Sequence, residues 1–135
     1  TVSWSNRVMI ARFHQKDEKV AKALKKKKWN DNLLVHENLK VSGQRDKFAK
    51  RYKLDKEAVK RYAAYADLTR LKSINPAVAH MLYLGNIKTV GLLAGTPPLN
   101  LQKALADVNA KHKVIPKAPG IEFAEKLVKD AKAFK

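Results

Sequence analysis

The groups in this chain best suited to metal ligation or acid–base chemistry are four histidines and twelve carboxylates, and their spacing supports neither use. His14, His36, His80 and His112 are far apart, and no pair has the i, i+4 spacing that puts two imidazoles on one helix face around a metal. With no cysteine in the chain, thiolate ligands, disulfides and a thiol nucleophile are excluded. The glycine patterns that cradle a nucleotide phosphate or carry a strained nucleophilic serine do not occur. Acidic residues such as Asp17, Glu18, Glu122 and Glu125 neighbour lysines at helical spacing, as on a solvated helix face. The sequence therefore reads as non-catalytic, with no cofactor, no metal and no small-molecule substrate.

The chemistry that does stand out is cationic. Lys+Arg number 29 against 12 Asp+Glu, a formal net charge of +17. So much like charge repels itself and slightly disfavours the compact state, and a densely negative partner relieves that repulsion. The expected partner is an acidic macromolecule, either nucleic acid or an acidic protein assembly. The densest run is Lys25-Lys26-Lys27-Lys28, at the end of a helix expected over 16–29, where cations complement the helix dipole. No apolar stretch is long enough to cross a bilayer, so membrane insertion is not expected. The lack of cysteine and of a secretory leader fits an intracellular setting, cytoplasmic or organellar.

Helical periodicity must position these cations. Residues 1–15 have no clean period, and Val8, Ile10 and Phe13 could anchor this segment on the body or on a partner. Residues 30–43 read as a connector holding a short helix or apolar strip. A helix follows from Gln44 to Tyr52. The next is capped by Asp55 and buries Ala58, Val59, Tyr62, Ala63 and Ala66. Asn75-Pro76 starts another, since Asn caps and proline at the first position loses only an unpaired N–H. Gly85-Asn86 ends it. Helices are expected over 89–94, 100–112 and 121–134, and no segment alternates with period two. The fold class is all-α: a compact bundle of short helices with a basic N-terminal arm over 1–43 and a helical domain over 44–135.

One stretch carries a resemblance. It runs Asp67-Leu68-x-Arg70-Leu71-x-Ser73-Ile74-Asn75-Pro76-x-x-Ala79, then Leu82-x-x-Gly85-Asn86-Ile87-x-Thr89-Val90-x-x-Leu93-Ala94. With Pro98-x-Asn100-Leu101, Val108-Asn109 and Lys111-His112-Lys113-Val114, it resembles a helix-hairpin-helix-like family catalogued as a domain of unknown function, over roughly 44–132. The resemblance implies a hairpin at Ser73-Ile74-Asn75 whose backbone N–H groups and following helix hold a phosphate. Ser73 and Asn75 stand where DNA-binding hairpins of this type carry glycine, which also fits a plain packing turn. Candidate polyanion contacts are Lys25, Lys26, Lys27, Lys28, Arg70, Lys72, Ser73 and Asn75. Candidate partner anchors are Trp4, Phe13 and Trp29. The functional expectation is a module contacting the nucleic-acid backbone without strong sequence preference. The alternative is a scaffold or linker subunit docking on acidic proteins in a large assembly, for example a photosynthetic antenna or organellar complex.

Overall fold

The computed structural model describes residues 5–134 as eight short α-helices and one 3-10 turn. They are α1 (Glu18–Lys26), α2 (Asn32–Leu39), α3 (Ser42–Tyr52), α4 (Lys56–Leu68), α5 (Pro76–Leu84), α6 (Val90–Ala94), α7 (Pro98–His112) and α8 (Ile121–Ala133). No strand occurs among the described residues; an isolated bridge joins Met9 to Asp31. Side-chain capping explains half of the helix starts. Side-chain oxygens of Asp17, Asp31, Asn75 and Thr89 accept the N–H groups of Val20, Leu34, Val78 and Leu92, satisfying donors that lack an intrahelical partner. Asp55 precedes α4 as expected, but its carboxylate makes no capping bond, so the favourable charge at that end comes without the hydrogen bond.

Left-handed residues close several of the helices. Lys28 follows α1 at φ 63°, Lys53 follows α3 at φ 54°, Asn86 follows α5 at φ 64° and Lys113 follows α7 at φ 49°. Trp29 N–H then reaches Leu24 O at 2.9 Å, Leu54 N–H reaches Ala49 O at 2.8 Å and Ile87 N–H reaches Leu82 O at 2.8 Å. These are the six-to-one bonds of a Schellman ending.

The hydrophobic core is continuous from Val8 to Ala131, so residue 43 does not mark a break in it. Of the two anchors open to the N-terminal segment, the body is the one its apolar residues use. The segment before α1 is a strap across the body. Val8 and Phe13 are buried, and Phe13 sits edge-on to Tyr62 and Tyr65 of α4, each with ring centroids 5.5 Å away. Phe13 is thus a core residue and not a partner anchor, because its apolar ring is already covered. Trp29 is half-buried against Phe48 of α3, centroids 5.4 Å apart, and its ring is used chiefly within the fold. Trp4 lies outside the described residues.

Asn32 pins the strap. Fully buried, it donates from Nδ2 to Asn6 O (2.9 Å) and Thr69 Oγ1 (3.0 Å), and its Oδ1 accepts from Val8 N–H (2.7 Å). Asn32→Leu would leave the Val8 N–H and the Asn6 carbonyl without partners in a dry site. We expect it to lower unfolding free energy by about 2–3 kcal/mol in urea titrations. A loss under about 0.5 kcal/mol would mean water replaces the amide.

The histidines divide: His14 and His112 are exposed and His36 is half-buried, whereas His80 is buried.

Candidate polyanion interface

Helix α1 buries Val20, Ala23 and Leu24, which forces Lys19, Lys22, Lys25 and Lys26 onto the opposite face. The end of α3 lies across from them. Tyr52, Lys53 and Leu54 close a groove of about 690 Å³ lined by Lys19, Lys22, Lys25, Lys26 and Lys53, and no carboxylate lines it. Lys53 is held in place by its left-handed cap position, and Arg51 stacks 5.5 Å from the Tyr52 ring centroid. The groove therefore has a cationic rim and an apolar floor of Ala23 and Leu54. Such a concave surface focuses its field on an incoming anion more strongly than a flat patch does.

The expected contacts fall in several places. Lys25 and Lys26 line the groove; Lys27 lies over the Trp29 ring, 5.3 Å from its centroid; and Lys28 is the left-handed residue ending α1. The hairpin residues are elsewhere. Arg70 is half-buried, bonded to Asp67 Oδ1 at 2.8 Å and set 5.2 Å from the Phe134 ring centroid. Its guanidinium is thus engaged by Asp67 through Nη2 and Nε. Asn75 is exposed, its Oδ1 caps α5 through Val78 N–H at 2.9 Å, and it sits at φ −85°. Lys72 is exposed and Ser73 Oγ is buried without a hydrogen-bond partner. Both line a second cleft of about 750 Å³ with Arg7, Lys126 and Asp130. There Asp130 is paired with Lys126 at 3.1 Å, and Arg7 leans on Asp31 at 2.9 Å. Of the expected set, Lys25 and Lys26 line one cleft, Lys72 and Ser73 the other, and the remaining four line neither; Arg7 and Lys126 were missed because nothing local links them to Lys72.

No group of three or more His, Asp or Glu side chains suited to a metal occurs among the described residues. No helix among them is long and apolar enough to cross a membrane.

Comparison with known proteins places the family. The model for the domain of unknown function DUF4332 matches residues 14–134. The chain belongs to the DUF4332 family. Neither a curated protein nor a solved structure matches it. The DUF4332 match takes in both walls of the lysine groove and all eight helices, while the strap residues Asn6 to Phe13 precede it.

Proposed function

We propose that this DUF4332 protein is a non-catalytic module that binds the phosphate backbone of nucleic acid, without strong sequence preference, through the α1–α3 lysine groove. The observation that carries this reading is the concave wall of five lysines with no carboxylate among them. Lysines that neutralise phosphates release condensed counterions, which favours binding and makes it salt-dependent without reading bases. The half-buried Tyr52 at one edge offers an aromatic surface for an unpaired base. The resemblance to helix-hairpin-helix proteins lends secondary support through the second cleft, where the exposed Lys72 suits a further phosphate.

The test is fluorescence anisotropy of labelled duplex DNA and structured RNA across a salt series. Full engagement of five lysines predicts a log–log salt slope of about −4 to −5 on duplex DNA. Lys22→Gln/Lys25→Gln/Lys26→Gln should flatten the slope by about 3 and weaken binding at least tenfold at low salt. Lys72→Glu should have the smaller effect. Retained affinity in the triple variant would refute the groove as the interface.

A second reading has its own observation. Leu92 and Leu99 are exposed at 54% and 71% on either side of the α6–α7 turn, an apolar feature with no role in phosphate contact. It favours an acidic protein partner in an assembly. Nucleic-acid binding that disappears by physiological salt, with an acidic protein still bound there, would select this reading.

A further inference from the structure

A third cleft has a different character from the two above. It lies between α2, α3, α4 and the turn before α6, with a volume of about 280 Å³. This is several times the roughly 30 Å³ of one water, room for a tetrahedral oxyanion with its waters. Arg45, Lys88, Lys40 and Lys60 line it, together with His36 and Asp67; Ala63 and Ala64 on α4 leave the space open. Arg45 and Lys88 are half-buried, and neither has a carboxylate partner among the described residues. Lys88 Nζ lies 5.5 Å from the Tyr83 ring centroid, a contact that leaves its charge without a counter-ion, and an anion in the cleft would supply one to both side chains. Arg45 is positioned by Nη1, which donates to the carbonyls of Leu39 and Lys40 at 3.0 and 3.1 Å. Lys40 and Lys60 carry only exposed pairs, to Glu37 at 3.3 Å and Glu57 at 3.5 Å, which are weak enough to exchange for a ligand.

The one carboxylate in the lining is largely spent. Asp67 Oδ1 accepts from Arg70 Nη2 at 2.8 Å and from the Val90 N–H at 2.9 Å, while Oδ2 faces His36 Nδ1 at 3.7 Å. We propose that this cleft is a binding site for a phosphate dianion, either a free phosphate or phosphomonoester or the terminal phosphate of a nucleic-acid strand. The site is separate from the α1–α3 groove and does not depend on the function assigned to that groove. His36 is its built-in reporter. Burial, and then Arg70, hold its imidazole toward the neutral form; Lys40 acts the same way, while Asp67 and Glu37 oppose. A dianion added beside Arg45, Lys60 and Lys88 offsets those cations and draws a proton onto His36, completing its ion pair with Asp67.

The experiment follows the His36 imidazole proton signals, assigned with His36→Gln, while inorganic phosphate is titrated at constant ionic strength near neutral pH. A saturable shift toward the protonated position is expected, with sodium chloride producing none. Lys60→Gln/Lys88→Gln should weaken the apparent affinity at least tenfold while its circular dichroism stays that of the parent. The Lys22→Gln/Lys25→Gln/Lys26→Gln variant should stay within twofold, so failure here and failure of the groove are read separately. Oligonucleotides with and without a 5′-phosphate identify the source: a shift specific to the phosphorylated one assigns the strand end, no shift with either assigns the free ligand, and an equal shift with both would overturn the dianion. An unmoved His36 signal, or the same shift with chloride, would overturn the proposal.

Discussion

Phe13→Ala should destabilise the protein by about 3–5 kcal/mol, the range found when a fully buried aromatic is truncated. The side chain is 1% exposed and fills the angle between Tyr62 and Tyr65. Its removal opens a cavity whose walls belong to a helix and cannot collapse freely. The damage should spread along the strap. Tyr62 OH accepts from Asp17 N–H at 3.0 Å, and Asp17 in turn caps α1, so a shifted Tyr62 loosens the helix that carries the lysine groove. Urea denaturation measures the first effect, and amide exchange over residues 18–26 measures the second. Phe13→Leu, which keeps most of the volume, should recover over half of the loss. A Phe13→Ala protein within 1 kcal/mol of the parent would show that the strap adds little to the fold.

Acid should destabilise this protein through His80. The ring is buried, stacks on His14 at 4.7 Å between centroids and shares a 2.6 Å hydrogen bond between Nδ1 and the Tyr65 hydroxyl. Burial holds the Tyr65 phenol well above its ordinary range, so its proton stays on and donates to His80. The neutral imidazole accepts at Nδ1 and keeps its own proton on Nε2. Burial above all, with help from His14, Arg61 and His112, pushes the His80 pKa down to about 4 from an ordinary 6.5.

The folded-state pKa is thus below the unfolded one. Above about 6.5 the ring is neutral in both states and stability is complete. As the pH falls from there toward 4, the unfolded chain takes a proton that the folded chain refuses, and stability drops by about 3 kcal/mol in all. Denaturant midpoints at pH 7.5 and 4.5 should show most of that loss. His80→Gln keeps an acceptor for Tyr65 and removes the proton site, and should flatten the pH dependence even if its stability at neutral pH is lower. An equally steep acid dependence in His80→Gln would assign the effect to other groups, such as His36, whose pKa is lowered by burial.

What could be read in the sequence was what neighbouring residues decide. Asn75-Pro76 and Thr89 announce helix starts through side chains that bond three residues ahead. The lysines of α1 occupy one face because Val20, Ala23 and Leu24 occupy the other. Long-range partners left no such trace. The aperiodic strap is fixed by Asn32 and Thr69, 24 to 63 residues away, and a buried asparagine in a polar stretch resembles a loop residue until its partners are placed. The opposite wall of the groove, Tyr52 to Leu54, and the pairing of Arg45 with Lys88 around one cleft depend on helix packing alone. The hairpin residues show the converse. Arg70 has the chemistry of an anion contact, but the fold pairs it with Asp67, and Asn75 spends its side-chain oxygen on the α5 cap.

Three corners of the molecule place charge and backbone geometry in opposition. Lys28, Lys53 and Lys113 each hold a conformation that glycine adopts freely and that costs a side chain-bearing residue about 1 kcal/mol. A sequence selected for folding alone would favour glycine at these corners. Instead each presents a long cationic side chain where a helix ends and its free carbonyls gather. Foldedness and cationic character are therefore traded against each other at specific backbone positions, and the trade is made in favour of charge.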